Sequence, residues 1–146
     1  MTLIVNDRAD IAALLAAGLH VGQEDLEPSA ARRVIGTDAV LGYSTHNAAQ
    51  LAAAAAEPAT YLAIGPIFAT VSKENPDPVV GLEALPGLRA LTRRPLVAIG
   101  GITLNNARAV LEAGVDSIAV IGGLLPEDAT AQSLGRWVEE WLKLTQ

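Results

Sequence analysis

Residues 70–73, with the sequence TVSK, place two hydroxyl groups and one ammonium group within four positions. Thr70 and Ser72 can each donate a hydrogen bond, and Lys73 adds a positive charge. Charge-assisted donors of this kind are suited to phosphate or pyrophosphate. The four residues lie in a segment after Gly65 that is long for a strand-to-helix connection, and such loops tend to be functional or disordered. A solvated surface loop is the alternative interpretation.

Two aspartates, Asp7 and Asp25, follow consecutive predicted strands. Parallel strands end at the same edge of a sheet, so their carboxylates could share a hard cation such as Mg²⁺ together with phosphate oxygens of a ligand. An isolated acid at a strand end is more often a helix N-cap or a solvated residue, and that interpretation stays open.

Glycine pairs follow the last two predicted strands, at Gly100-Gly101 and Gly122-Gly123. One pair alone indicates a tight turn, because glycine is a routine turn residue. Thr103 fits the N-cap of the following helix, however, and backbone N–H groups at a helix start can bind phosphate. Two such turns after the last two strands match the usual phosphate position of (β/α) barrels, which favours an anion site.

Three other residue types allow simpler interpretations. His46, two residues after Ser44, could carry a proton, or it could only bond the backbone at the start of a helix. We expect Arg8 to pair with a nearby acid. Trp137 and Trp141 are four residues apart on the last predicted helix, and this spacing indicates core packing.

The elements that must position these residues are six short β-rich segments alternating with six segments of helical periodicity. The predicted strands are residues 3–5, 19–22, 40–44, 61–65, 96–100 and 117–121, and the predicted helices are residues 9–17, 29–35, 47–56, 82–91, 104–113 and 133–144. Strict alternation implies a parallel sheet, either doubly wound or closed into a barrel. Polar residues and glycines collect after the strands, the end that carries function in barrels, and this favours the barrel.

Composition supports one packed domain over residues 1–146, since 51% of the residues are hydrophobic and 18% are charged. The net charge of −6, without clusters of lysine or arginine, argues against nucleic-acid and anionic-membrane partners. The absence of cysteine excludes disulfides and thiolate metal sites. No leader pattern and no apolar run of about 20 residues is evident, so a cytoplasmic location is the default expectation.

Five motifs in order resemble the thiamine phosphate synthase family. They are IVNDR at residues 4–8, HVGQED at 20–25, GYSTH at 42–46, GPIFATVSKENPDPVVGLE at 65–83 and AIGGIT at 98–103. The resemblance implies an α/β fold of the (β/α)8 TIM-barrel type. It further implies that this chain holds about six of the eight βα units, from the third strand of the family fold to its last helix.

The resemblance also implies an activity and a set of site residues. Such an enzyme joins 4-amino-2-methyl-5-hydroxymethylpyrimidine diphosphate to 4-methyl-5-(2-phosphoethyl)thiazole and releases pyrophosphate, with Mg²⁺. By the family's pattern, Asp7 and Asp25 would be the metal ligands. Ser44 and Lys73 would be catalytic, and they would contact the pyrimidine diphosphate together with Asn6. The thiazole phosphate would be held by Thr70, Val71, Ser72, Gly101, Ile121 and Gly122.

The chain departs from the family pattern in ways that leave alternatives open. A Gln-x-Arg-x-Lys strand that binds the diphosphate in the family does not occur, and Gly122 stands where the family commonly has serine. The related thiazole tautomerase, or a non-catalytic protein that binds only the thiazole phosphate, are the alternatives. Residues 23–25 and the Thr-x-Ser-Lys segment favour the synthase. Because an open six-stranded sheet would expose two edges, we also expect a homo-oligomer or marginal stability.

Overall fold

The computed structural model describes residues 2–70, 77–126, 128 and 130–144. Six strands form one parallel sheet in which the spatial order follows the chain order. They are β1 (Ile4–Asn6), β2 (Gly18–Val21), β3 (Leu41–Thr45), β4 (Tyr61–Ile64), β5 (Leu96–Ile99) and β6 (Ser117–Ala119). The sheet curls into part of a barrel of the (β/α)8 type, which confirms the predicted fold class.

Each strand is followed by a helix, as the periodicity predicts. The helices are α1 (Ala9–Leu14), α2 (Pro28–Ile35), α3 (Ala48–Ala54), α4 (Leu85–Arg89), α5 (Leu104–Glu112) and α6 (Ala131–Leu144). The prediction of one continuous helix over 82–91 is wrong, since a 3-10 turn at Leu82–Ala84 precedes α4. The predicted end of α1 at residue 17 is also wrong, because Ala16 adopts a left-handed φ of 49° that no α-helix accommodates.

Alternate strand residues pack against the helices. Leu19, Val21 and Leu41 are fully buried against Ala12 and Ala31 of the first two helices. A second cluster joins β4 and β5 to α3, α4 and α5 in the same way. Since successive strand residues point to opposite faces, the intervening residues lie on the inner face of the curled sheet.

The two edge strands leave apolar surface open. Among the described residues, β1 and β6 each pair with one neighbouring strand. Ile4 in β1 is 38% exposed, and Leu14 at the end of α1 is 86% exposed. Homo-oligomerisation, which would cover such surface, stays a prediction. Within the described ranges, no helix is both long and apolar enough to cross a bilayer.

An arginine at the amino ends of the strands holds the segment between α3 and β4. Arg94 donates hydrogen bonds to the backbone carbonyls of Ala55, Glu57 and Ala59. Its guanidinium therefore satisfies three acceptors of a loop that has no regular structure of its own. This loop sets the start of β4, the strand that leads into the cavity described below.

We expect Arg94→Ala to lower the free energy of unfolding by about 2–3 kcal/mol, because partly buried carbonyls lose charge-assisted donors. Urea denaturation followed by circular dichroism measures this change. Arg93→Ala is the matched control, since the Arg93 side chain is exposed, and it should change stability by less than about 0.5 kcal/mol. Equal effects of the two substitutions would contradict the assignment.

Candidate active site

A cavity of about 440 Å³ lies at the carboxyl ends of β3 to β6. Its lining includes predicted substrate-binding residues from four different segments of the chain: Ser44, Thr70, Gly101, Ile121 and Gly122. The carboxyl ends of parallel strands therefore bring these residues to one place, although up to 78 positions separate them in sequence. This is the end of the barrel at which ligands are bound in proteins of this architecture.

The turn after β5 is built for close approach of the loop that follows β4. Gly100 and Gly101 have φ values of 99° and 64°, which favour glycine. A Cβ atom on Gly100 would lie 2.6 Å from the Cα of Pro66, and one on Gly101 would lie 2.6 Å from the carbonyl oxygen of Ala69. Both glycines are therefore required, by conformation and by space, and the loop passes directly over them towards Thr70.

The same turn is fixed at the start of α5. The Thr103 N–H donates to the side chain of Asn106 over 2.8 Å, and the Asn106 amide donates to the carbonyl oxygen of Gly101 over 3.0 Å. Thr103 is the N-cap of α5, as its position after the glycine pair predicted. A helix start and a glycine turn thus converge on one wall of the cavity. Whether this wall binds an anion stays a prediction.

Ser44 belongs to a hydrogen-bonded network that spans three strands. His20 of β2 bonds the Ser44 hydroxyl through Nε2 and the Tyr61 hydroxyl through Nδ1, each over 2.8 Å. The His20 and Tyr61 rings stack with centroids 5.6 Å apart. Gly42 of β3 lies in register between them, and only the lack of a side chain there lets the two rings meet.

Burial shapes the electrostatics of this network. It lowers the pKa of His20, and the negative charge of Asp25 opposes that effect in part. Burial also raises the pKa of Tyr61. A neutral imidazole has one donor and one acceptor nitrogen. When His20 donates to one of the two hydroxyls, it therefore accepts from the other. In one of its two tautomers, the Ser44 hydroxyl accepts from His20 and can donate to a ligand in the cavity.

The predicted metal ligands lie beside this network and outside the cavity lining. Asp7 follows β1 and has a left-handed φ of 63°, a conformation that aspartate tolerates better than most residues. Asp25 follows β2, where one carboxylate oxygen accepts from the N–H of Gly22 over 2.7 Å. Asn6, the last residue of β1, is exposed at the same rim. Arg8 pairs with Asp10, as expected.

The two carboxylates suit Mg²⁺ by their chemistry. Mg²⁺ is usually bound through one or two carboxylates plus substrate phosphates, and it keeps several waters. Both aspartates are exposed, so water and ligand oxygens can complete such a shell. No group of three or more His, Asp or Glu side chains suitable for a metal occurs within the described residues. Two carboxylates would leave the other positions of a Mg²⁺ shell to water and ligand oxygens.

His46 lines the cavity at the start of α3. Its Nδ1 atom contacts the carbonyl oxygen of Gly65 over 2.7 Å and lies 3.4 Å from a carboxylate oxygen of Asp77. A carbonyl only accepts, so Nδ1 carries the proton and the ring orientation is fixed. The bond from His46 to the backbone is therefore present. Because it occupies Nδ1, any proton transfer to or from a ligand would use Nε2.

Part of the candidate site was not predictable from local sequence patterns. The predicted residues Val71, Ser72 and Lys73 lie outside the described residues. His20 and Tyr61 were not predicted to have a functional position, because a lone polar side chain in an apolar strand has many explanations. One signal could have identified them: His20 and Tyr61 are in register with Gly42, a glycine on the strand between them, so the two side chains lie on the same face of the sheet.

The curled parallel sheet with a cavity at the carboxyl ends of its strands defines a protein of the (β/α)8 barrel class. The family model described as thiamine monophosphate synthase matches residues 1–124, and the chain belongs to that family. This confirms the resemblance carried by the five motifs.

Individual relatives agree with the family assignment. A thiamine-phosphate synthase of Koribacter versatilis (strain Ellin345) is 59% identical over 128 residues, covering 86% of this chain and 60% of the relative. One from Laribacter hongkongensis (strain HLHK9) is 48% identical over 122 residues, covering 83% of this chain and 57% of the relative. The solved structure of thiamine phosphate pyrophosphorylase from Pyrococcus furiosus matches with a TM-score of 0.82 and 34% identity, covering 98% of this chain and 66% of the solved one. The chain thus spans less than two thirds of each relative.

Proposed function

We propose that this chain acts in thiamine phosphate synthesis, joining 4-amino-2-methyl-5-hydroxymethylpyrimidine diphosphate to 4-methyl-5-(2-phosphoethyl)thiazole with release of pyrophosphate. The observation that carries the proposal is the cavity that brings Ser44, Thr70, Gly101, Ile121 and Gly122 together. It adjoins a separate acidic rim, which we define by Asp7 after β1 and Asp25 after β2. Two phosphorylated substrates that react with each other need two such adjoining regions.

In this proposal the cavity binds the thiazole phosphate. Thr70 donates its hydroxyl, and the turns containing Gly101 and Gly122 supply backbone N–H groups. Val71 and Ser72, which belong to the same motif, would extend the set. Because Gly122 has no hydroxyl, binding at that turn depends on the backbone alone.

The pyrimidine diphosphate lies between Ser44 and the acidic rim in the same proposal. Asn6 and Ser44 would orient it by hydrogen bonds, with His20 fixing the Ser44 hydroxyl. Lys73 would stabilise the negative charge that develops as pyrophosphate leaves. The pyrimidine cation formed on dissociation would require a site that limits the access of water. No nucleophilic side chain is required.

Asp7 and Asp25 would hold Mg²⁺ in this arrangement. When bound, the metal supplies charge neutralisation for the leaving diphosphate. Asp25 also accepts from the N–H of Gly22, a bond that restrains its carboxylate. The proposal also includes four broader features of the protein. They are a single domain over residues 1–146, a cytoplasmic location, no nucleic-acid partner and homo-oligomerisation.

A thiazole tautomerase is the second candidate, favoured by His46, whose oriented ring lines the cavity. A proton-transfer reaction on the thiazole would use that ring and would need neither aspartate. The two functions differ in their requirements, because only the synthase consumes the pyrimidine diphosphate and depends on a divalent metal.

The test is thiamine phosphate formation by the purified chain from both substrates, with and without Mg²⁺, beside calorimetric binding of the thiazole phosphate alone. We expect Mg²⁺-dependent product. Isomerisation of a thiazole phosphate substrate without pyrimidine would support the tautomerase instead. Thiazole phosphate binding without either reaction would identify a non-catalytic binding protein. Absence of both binding and product would refute the proposed function.

A further inference from the structure

The chain contains two tryptophans, and both bond the same backbone atom. Trp137 and Trp141 of α6 each donate the indole N–H to the carbonyl oxygen of Gly123, over 3.0 and 3.3 Å. Their spacing predicted core packing, which is confirmed, since Trp141 is part of the main core cluster and Trp137 packs against it. Beyond this packing, the two indoles share one acceptor, the Gly123 carbonyl oxygen. It lies in the turn after β6, one wall of the cavity.

This turn, residues 121–124, has few means of fixing its own shape. Gly122 and Gly123 have no side chains, and Ile121 is 67% exposed. One backbone bond, from Leu124 N–H to the Ile121 carbonyl over 3.2 Å, closes it as a 3-10 turn. Additional fixation must therefore come from another part of the chain.

The two indoles provide that fixation. A carbonyl oxygen can accept two hydrogen bonds, and here one comes from a core ring, Trp141, and the other from Trp137, which packs against the core. This sets the plane of the peptide group that follows Gly123, and with it the directions of neighbouring N–H groups. Gly123 also packs closely against the residues before α5, since a Cβ atom built on it would lie only 2.7 Å from the Ile102 carbonyl oxygen. The turn is thus held between α6 and the start of α5.

We propose that Trp137 and Trp141 are positioning residues that hold the 121–124 turn in the shape that binds a phosphate monoester, and that their fluorescence reports this binding. The inference rests on the proposed function, in which the turn takes the thiazole phosphate. It assigns to α6, which lies beyond the region matched by the family model, a role at the site.

The first experiment uses the unmodified chain. Titration with 4-methyl-5-(2-phosphoethyl)thiazole should change the intrinsic tryptophan emission, with a midpoint equal to the Kd from calorimetry. No other tryptophan contributes to the signal. The unphosphorylated thiazole alcohol is the control ligand, and it should leave the emission unchanged at the same concentrations. Inorganic phosphate, as a smaller probe, should produce the same change at higher concentration.

The second experiment removes the N–H groups and keeps aromatic rings. Trp137→Phe and Trp141→Phe should each raise the Kd for the thiazole phosphate about fivefold, the effect of one neutral hydrogen bond. The Kd for the pyrimidine diphosphate should stay within about twofold. Val138→Ala is the matched control, because Val138 is on the same helix and 50% exposed. Thermal melts establish that each variant is folded.

The outcomes separate this inference from the proposed function. Calorimetric binding of the thiazole phosphate without any change in emission, and with unchanged Kd in both phenylalanine variants, would refute the positioning role and leave the function intact. Equal weakening of both substrates would indicate a general loss of structure and would also refute it. Absence of binding to the unmodified chain would refute the proposed function together with the inference.

Discussion

Asp25→Asn is expected to lower kcat/KM for thiamine phosphate formation by at least about 100-fold, because under the proposed function it removes one anionic metal ligand and several kcal/mol of charge stabilisation. The amide oxygen of asparagine can still accept from the Gly22 N–H, so the turn after β2 should keep its shape. The substitution thus separates the charge of residue 25 from its structural bond. Steady-state kinetics across a Mg²⁺ titration measure the effect.

Glu24→Gln is the matched control for this prediction. Glu24 is the neighbouring residue and is also exposed, so its replacement removes the same charge from the same loop. We expect its turnover and its Mg²⁺ dependence to stay within about twofold of the unmodified chain. If Asp25→Asn also retained turnover within threefold, the metal would have to bind elsewhere, and the assignment of Asp25 would be wrong.

Gly42→Ala is expected to lower the free energy of unfolding by about 3 kcal/mol and to reduce turnover as well. The new Cβ atom would lie 2.2 Å from Cζ of Tyr61 and 2.4 Å from Nδ1 of His20. The two rings must then move apart, which breaks their hydrogen bond and removes the partner that orients Ser44. Chemical denaturation and steady-state kinetics measure the two effects.

Gly87→Ala is the matched control, because it adds the same methyl group at a position with open space around it. Gly87 lies in α4, and nothing approaches within 4 Å of a Cβ atom built on it. Because alanine is the better helix former, this variant should be as stable as the unmodified chain or more stable by up to about 1 kcal/mol. An equally stable and active Gly42→Ala variant would show that the contact between His20 and Tyr61 is dispensable.

Local patterns in the sequence were sufficient to predict the elements and their order. Short β-rich segments and helix segments of period 3.6 depend on neighbouring residues, so all six βα units could be recognised without tertiary information. The polar residues after each strand predicted which end of the barrel would carry the site. The errors fell at element ends, at Ala16 and at Leu82–Ala84, where a single backbone conformation decides the boundary.

Tertiary structure decided which residues meet. The contact of His20 with Tyr61 across Gly42 depends on the register of three strands, and the two indole bonds to Gly123 depend on how α6 packs. The sequence by itself determined the parallel barrel units, the functional end of the sheet and the motifs of the family. Only the folded chain separated the cavity from the acidic rim, because distances between remote residues follow from the packing of whole elements and not from local pattern.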